Sequence, residues 1–270
     1  MRGASRDAQA RAQADLSALT SAAGTDLTAL SDDLAAVGAL LGREISLRRL
    51  LTDPAKPAEE RAALAGDLFG GKVGSPAVEL LTGMVRNRWS QPRDLAEAVT
   101  RLAVEAELAL AERAGGLDRV EEDLFRFGRL LAAEPTLAVG LSERTPAEGR
   151  TALADSLLAG KAHASSVRLI HRVVQQPLGQ SALTNVEHLS AVAAELRERL
   201  TALVTTASPL SEAQLDRLTD ILTRGYGRPV RLNVELDPAL IAGLTIRIGD
   251  EIIDGTVRNR LNEASRRFAD

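Results

Sequence analysis

The sequence contains an internal repeat at a constant offset of 89 residues. Residues Pro57–Lys72 align with Pro146–Lys161, and ten of the sixteen aligned positions are identical. The identities include a proline, a glycine and a lysine, so a shared Ala/Leu-rich composition does not explain the match. A repeat on this scale indicates two related supersecondary units in tandem.

The repeated segment has the signals of an amphipathic helix. In the second copy we expect Thr145 as the N-cap, Pro146 at the first helical position and Glu148 completing a capping box. Gly160 is placed to take the left-handed conformation that ends a helix. Further helices are predicted at 6–20, 26–41, 75–89, 93–114, 118–131, 165–174 and 181–203. Each copy is therefore predicted to be a bundle of about five helices, and the two are joined through the long helix 93–114.

The hydrophobic period changes after about residue 200. Ser211 is predicted to cap a helix, with Gln214 at the reciprocal position. Apolar and polar residues then alternate strictly through Val230–Leu236, which predicts a half-buried strand. Leu244–Ile248 and Glu251–Ile253 are predicted as two further strands, and a closing helix is expected to start near residues 254–256. This pattern is typical of a small, separate α+β domain.

The predicted fold class is mainly α with a small α+β C-terminal domain, in which tandem helical bundles precede a short β-sheet flanked by helices. The predicted domains are 1–90, 91–203 and 204–270. Aromatic residues make up only 2% of the chain, so the core is expected to consist of small aliphatic side chains, which pack well between helices. The net charge of -4 argues against binding to nucleic acid or to an anionic membrane.

No residue constellation predicts catalysis, a metal site or a cofactor. The chain has no cysteine. Gly66, Gly71 and Lys72 have nearly the spacing of a phosphate-binding loop, but Val73 stands where such a loop has Ser or Thr, and the glycines are expected to end a helix. His163, His171 and His188 do not form a metal pattern, and we expect them on the surface or at an interface.

The C-terminal segments resemble a known signature in both order and spacing. They are Val230–Leu236, Asp237–Pro238, Leu240–Ile241, Ala242–Leu244, Ile246–Asp250, Ile253–Thr256 and Val257–Leu261. The signature is that of ATP synthase delta subunits, whose mitochondrial counterpart is the oligomycin-sensitivity-conferral protein. The chain is some ninety residues longer than a typical member, so it resembles a long bacterial form with a duplicated N-terminal helical unit.

This resemblance implies a function and partners. It implies a non-catalytic peripheral-stalk (stator) subunit of F-type ATP synthase that links the catalytic head to the stalk and resists rotor torque. The implied partners are the N-terminal helices of the alpha subunits and the C-terminal end of the b subunit. The implied location is the cytoplasmic face of the cell membrane, where the chain would be peripheral and held only through the complex.

The resemblance also selects residues. The signature positions are Asp237, Pro238, Gly243, Gly249, Asp254 and Gly255. The cluster containing Arg258 and Arg260 is either a solvated surface or a flank of the contact with the b subunit. The sequence does not decide which copy binds the alpha subunits; our hypothesis gives that role to the second copy. A free-standing helical adaptor and an enzyme are the competing interpretations. An adaptor would have no reason to carry the C-terminal signature, and an enzyme would need a catalytic constellation, which the sequence does not show.

Overall fold

The computed structural model describes residues 3–177, 179–199, 201–226, 230–237, 240, 243–249 and 251–254. They contain the helices α1 Ala4–Ser21, α2 Leu27–Arg43, α3 Ile45–Leu51, α4 Ala58–Phe69, α5 Ser75–Arg86, α6 Pro92–Arg113, α7 Leu117–Ala133, α8 Pro135–Gly140, α9 Ala147–Leu158, α10 Ala164–Gln175, α11 Ala182–Arg199 and α12 Glu212–Tyr226. The strands are β1 Thr201–Thr206, β2 Arg231–Leu236, β3 Leu244–Ile248 and β4 Glu251–Asp254. The predicted fold class is confirmed.

The chain divides into two compact units, Met1–Ala193 and Ala194–Asp270. Both sequence copies lie in the first unit, and the four strands lie in the second. The division into three domains at 90/91 and 203/204 stays a prediction. No helix in the described part of the chain is long and apolar enough to cross a membrane.

The repeat in the sequence is also a repeat in the structure. Helices α1 to α5 recur as α6 to α10 at an offset of 88 to 90 residues, as their first residues show. Helix α6 therefore belongs to both copies, because it follows the last helix of the first copy, α5, and is the first helix of the second. It contacts α1, α2, α3 and α5 as well as α7 and α10. Its buried residues consequently cover most of its circumference: Asp94, Leu95, Ala96, Ala98, Val99, Leu102, Ala103, Val104, Glu105, Ala106, Glu107, Leu108 and Ala111.

The core around α6 is aliphatic, as the composition predicted. Leu34, Leu95 and Leu102 are completely buried in it. Trp89, the single tryptophan, is also buried, and its Nε1 donates to the carbonyl oxygen of Met84 at 2.9 Å. Trp89 therefore belongs to the core of the first bundle. The pairing of its indole N–H leaves no unsatisfied donor on this side chain.

The ends of the repeated helices differ in part from the prediction. Gly71 and Gly160 both adopt left-handed backbone conformations, with φ of 70° and 66°. The predicted capping box at Thr145 and Glu148 is wrong, because α9 begins after Pro146 and no side chain caps it. The Thr145 carbonyl oxygen instead accepts from Nη1 of Arg150 at 2.6 Å, a contact that holds Thr145 in the loop before the helix.

The second unit contains a mixed four-stranded sheet in the order β2-β1-β3-β4. Strands β1 and β2 are parallel and are connected through α12, whereas β3 is antiparallel to both β1 and β4. The predicted capping box of α12 is confirmed: Ser211 N donates to Gln214 Oε1 at 2.9 Å, and Gln214 N to Ser211 Oγ at 3.4 Å. Tyr226 packs partly buried against the core of this unit.

The prediction of one helix over 181–203 is wrong at its C-terminal end. Helix α11 ends at Arg199, and residues 201–206 form the strand β1. This strand lies between two neighbours, with Val204 opposite Val234 on one side and Ile246 on the other. Pairing along both edges stabilises the extended conformation of this segment, of which the predicted helix had included residues 201–203. The predicted closing helix lies outside the described residues.

Candidate functional site

The signature residues that the structure describes lie mostly at one end of the sheet. Asp237 directly follows β2, and its backbone N–H donates to the carbonyl oxygen of Thr206 at 2.9 Å. Gly243 directly precedes β3 and has a φ of 96°. Asp254, the last residue of β4, is opposite Thr245 in the register of β3. Three signature positions thus gather where β1 and β2 end, β3 begins and β4 ends.

Gly249 lies at the other end of the sheet, in the tight turn between β3 and β4. Its φ of 56° is in the left-handed region, where a residue without Cβ is favoured, so its presence in the signature has a structural reason. Nearby, the hydroxyl of Tyr226 donates to Glu251 Oε2 at 2.6 Å. The predicted positions Pro238, Gly255, Arg258 and Arg260 lie outside the described residues.

A buried arginine recurs at the same place in both copies of the repeat. Arg61 Nε donates to the carbonyl oxygen of Val85 at 2.9 Å, and its Nη2 donates to that of Arg86 at 3.1 Å. Arg150 Nε likewise donates to the carbonyl oxygen of Val174, and its Nη2 to that of Gln175 at 2.9 Å. The planar guanidinium satisfies carbonyl groups that the end of an α-helix leaves without partners. The two copies therefore share an internal support as well as helix positions.

A buried or half-buried aspartate forms the second shared support. Asp33 Oδ2 accepts from the backbone N–H of Gly74 at 2.8 Å, just before α5. Asp123 Oδ2 accepts from that of His163 at 2.7 Å, just before α10. Asp123 also accepts from the hydroxyl of Ser166 at 3.0 Å. In each copy a carboxylate on the second helix fixes the start of the fifth, where negative charge is favoured.

An ion cluster joins the first copy to the second through α6. Glu107, on α6, is completely buried, and its Oε2 lies 3.0 Å from Arg168 Nε and 3.3 Å from Arg172 Nη2. Both arginines are on α10 and also contact Oδ1 of Asp32 on α2, at 3.0 and 2.8 Å. Ser31 Oγ completes the cluster, since it accepts from Arg172 Nη1 at 2.8 Å and donates to the Ala103 carbonyl oxygen at 2.9 Å.

The electrostatics of the cluster favour the charged form of Arg168. Burial lowers the pKa of Arg168, but the Glu107 and Asp32 carboxylates raise that pKa by more, so the net shift is upward. A carboxylate buried as deeply as Glu107 requires such partners, because leaving it unpaired would carry a large desolvation cost. Sequence reasoning missed this cluster. The available signals were a glutamate within the buried stretch of α6 and two arginines four residues apart on α10.

The remaining motifs have structural explanations. Gly66 lies within α4, and Gly71 follows its end, where Lys72 Nζ donates to the Leu68 carbonyl oxygen at 2.8 Å. Gly71 therefore lies at the end of a helix, as expected, whereas Gly66 lies inside the helix and the expectation for it is wrong. His163 Nδ1 accepts from the backbone N–H of Ser165 at 3.2 Å, and His171 Nε2 lies 2.7 Å from Asp155. Among the described residues, no group of His, Cys, Asp and Glu side chains could hold a metal ion.

Comparison with known proteins identifies the family. The family model for the ATP synthase delta (OSCP) subunit matches residues 96–268. "ATP synthase subunit delta" of Streptomyces avermitilis is 51% identical over 99% of this chain and 98% of its own length. The chain belongs to the ATP synthase delta (OSCP) subunit family. Delta subunits of Streptomyces griseus and Streptomyces coelicolor are 48% and 45% identical, over 100% of this chain and 100% and 98% of their own lengths.

The match to the delta family model begins within α6 and covers the second helical copy and the sheet. The first copy precedes it, yet the Streptomyces delta subunits match over the full chain, so the additional copy is shared with them. A chain of the Toxoplasma gondii mitochondrial ATP synthase hexamer gives a TM-score of 0.33 at 14% identity. It covers 62% of this chain and 95% of its own length. The family assignment rests on the sequence matches.

Proposed function

We propose that this chain is a non-catalytic stator subunit of an F-type ATP synthase. It links the alpha subunits of the catalytic head to the b-subunit stalk and resists rotor torque. Its proposed location is the cytoplasmic face of the cell membrane. The observation that carries the proposal is the family match over 96–268, which includes a helical bundle and the signature-bearing sheet. The division into two compact units also suits a protein with two different partners.

The helical unit is proposed to bind the N-terminal helix of an alpha subunit. An amphipathic helix in an apolar groove is a common way for helical proteins to hold a peptide partner. The test is isothermal titration calorimetry of the purified chain with a synthetic N-terminal peptide of the alpha subunit. The control is a peptide of the same composition in scrambled order. Saturable binding of the native peptide alone supports the proposal, whereas heats that match the scrambled control would argue against a groove for this helix.

The second copy is proposed to hold the alpha-subunit helix, because the family match starts in α6. Deleting the first copy is not a clean test, since it would remove α1 and α2 from the apolar surface of α6. The chain has no cysteine, so single spin labels can be placed through Lys72→Cys and Lys161→Cys, which are exposed and equivalent positions of the two copies. A spin-labelled alpha-subunit peptide should lie closer to the label at 161. A shorter distance to the label at 72 would assign binding to the first copy.

The C-terminal unit is proposed to bind the C-terminal end of the b subunit, with Arg258 and Arg260 beside the contact. The double variant Arg258→Glu/Arg260→Glu should weaken binding of a fragment from that end of the b subunit, while the circular dichroism spectrum stays unchanged. Arg224→Glu, an exposed charge reversal on α12, is the matched control. Equal affinity of the double variant and the unsubstituted chain would remove the two arginines from the contact.

A further inference from the structure

The short helix α3 of the first copy has one face in the core and one in solvent. Leu51 is completely buried and Leu47 packs partly buried against the same core cluster. Ile45 and Leu50 are instead 51% and 38% exposed, and Ser46 and Arg49 are exposed with them. At helical spacing these four residues share one side of α3. Two large aliphatic side chains are thus presented to solvent beside a cation, and apolar contacts next to an arginine are a combination found in protein interfaces.

The arginines at this face have different roles. Arg48 Nη1 donates to the carbonyl oxygens of Leu41 and Gly42, at 3.0 and 2.8 Å, and so fixes α3 to the end of α2. Arg43 and Arg49 are exposed, and neither forms an ion pair with a described residue. The face is therefore held in place by one arginine and carries two more whose charge the described part of the chain does not neutralise.

The basic character of this face is confined to the first copy, whereas the equivalent helix α8 also exposes one aliphatic side chain, Val139, at 57%. Residues 43–52 contain three arginines and one glutamate, for a net charge of +2. The equivalent residues 133–142 contain one glutamate and no basic residue, for a net charge of -1. In the second copy Val139 and Gly140 occupy the places of Arg49 and Leu50. Because the first copy lies before the segment that the family model matches, this surface is not part of the shared family pattern.

We propose that this α3 face (Arg43, Ile45, Ser46, Arg49 and Leu50) binds an acidic amphipathic segment of another ATP synthase subunit. The arginines would pair with its carboxylates, and Ile45 and Leu50 would contact its apolar side chains. A protein segment fits better than nucleic acid or lipid headgroups, because the face is aliphatic, it lacks aromatic side chains for base stacking and the whole chain is acidic. The inference rests on the proposed function in one respect: the partner is taken to be a subunit of the ATP synthase.

The test uses the absence of native cysteine to measure whether the face is covered in the complex. Ser46→Cys places a nearly isosteric thiol at its centre, and Ser21→Cys places one at the exposed end of α1 in the same copy. Maleimide labelling rates are compared between the free chain and the assembled ATP synthase. We expect labelling at position 46 to slow at least about tenfold on assembly, while labelling at 21 changes less than about twofold. Equal rates at position 46 in the two states would overturn the proposal.

Charge reversal tests the acidic nature of the partner. Arg43→Glu/Arg49→Glu should weaken binding of the chain to complex stripped of this subunit about tenfold, since two attractive contacts become repulsive. The control, Arg6→Glu/Arg129→Glu, changes the same charge at two exposed positions elsewhere and should bind normally. Equal binding of both double variants would overturn the proposal. So would protection of position 46 from maleimide labelling that disappears when the complex is treated with nuclease or detergent. A chain that never enters the complex would refute the stator function instead, so the two failures are distinguishable.

Discussion

Arg168 on α10 and Asp32 on α2 are 136 residues apart in the sequence, yet Arg168 Nη2 lies 3.0 Å from Asp32 Oδ1. The same guanidinium reaches Glu107 on α6 through Nε. One side chain therefore connects the second helix of the first copy, the helix common to both copies and the fifth helix of the second copy. This ionic network, which runs from the exposed Asp32 to the buried Glu107, fixes how neighbouring helices are placed along one another, in addition to any contribution to stability.

Removing the charge of Glu107 should destabilise the helical unit. In Glu107→Gln two arginines lose their deepest partner, and breaking a buried ion pair typically costs about 3 kcal/mol. Urea unfolding followed by the fluorescence of Trp89, which lies in the same unit, measures the loss. Glu122→Gln breaks the exposed pair with Arg126 and should cost less than about 1 kcal/mol. Equal losses would mean that the cluster is no more important than a surface pair.

The equivalent arginines of the two copies should respond alike. Arg61→Lys and Arg150→Lys keep the charge but lose the planar fork that reaches two helix-terminal carbonyl groups at once. With carbonyl groups left unsatisfied, each variant should lose about 2 kcal/mol in urea unfolding. The double variant should lose approximately the sum, because the sites do not share partners. A neutral effect at either position would show that the support is not retained in that copy.

Two glycines near the end of α4 should respond in opposite directions to alanine. Gly71 has a φ of 70°, so Gly71→Ala places a Cβ in a strained conformation and should cost about 1 kcal/mol. Gly66 is helical and has open space around its Cβ position, so Gly66→Ala should stabilise by about 0.5–1 kcal/mol. Thermal unfolding of both variants checks the signs. A stabilising Gly71→Ala would contradict the left-handed helix end.

The two predicted capping boxes, of which the structure contains one, give a further paired test. Ser211→Ala removes a side chain that accepts from the backbone N–H of Gln214, and it should cost about 1 kcal/mol in the C-terminal unit. Thr145→Ala should cost less than about 0.5 kcal/mol, because Thr145 is held through its backbone N–H and carbonyl groups and no side chain caps α9. Hydrogen exchange in the first turns of α9 and α12 distinguishes the two. Increased exchange in α9 of the Thr145 variant would instead indicate that the Thr145 side chain does cap α9.

Local signals account for most of what could be predicted. Gly71 and Gly160 were identified as helix ends because a glycine directly after an apolar helical stripe commonly takes the left-handed conformation that ends a helix. The strands β2 and β3 were found from alternation of period two, and β4 was found as the short return strand after the turn signal Gly249–Asp250. The short helices α3 and α8 were missed, since each has only two turns or fewer and little periodicity. Of the candidate positions, Asp237, Gly243 and Asp254 proved to be neighbours at one sheet end, which order in the sequence does not reveal.

The sequence by itself determined the duplication, the helical and strand-forming segments and the family. Each of these can be detected from local residue patterns or from sequence similarity, within the chain or to other proteins. The tertiary structure alone decided that α6 belongs to both copies and that Glu107 meets arginines from α10. It also decided that residues 201–203, predicted as the end of a helix, belong to the inner strand β1. These outcomes depend on partners distant in the chain. Burial and pairing with such partners outweigh local propensity, which differs by less than about 1 kcal/mol per residue between most residue types.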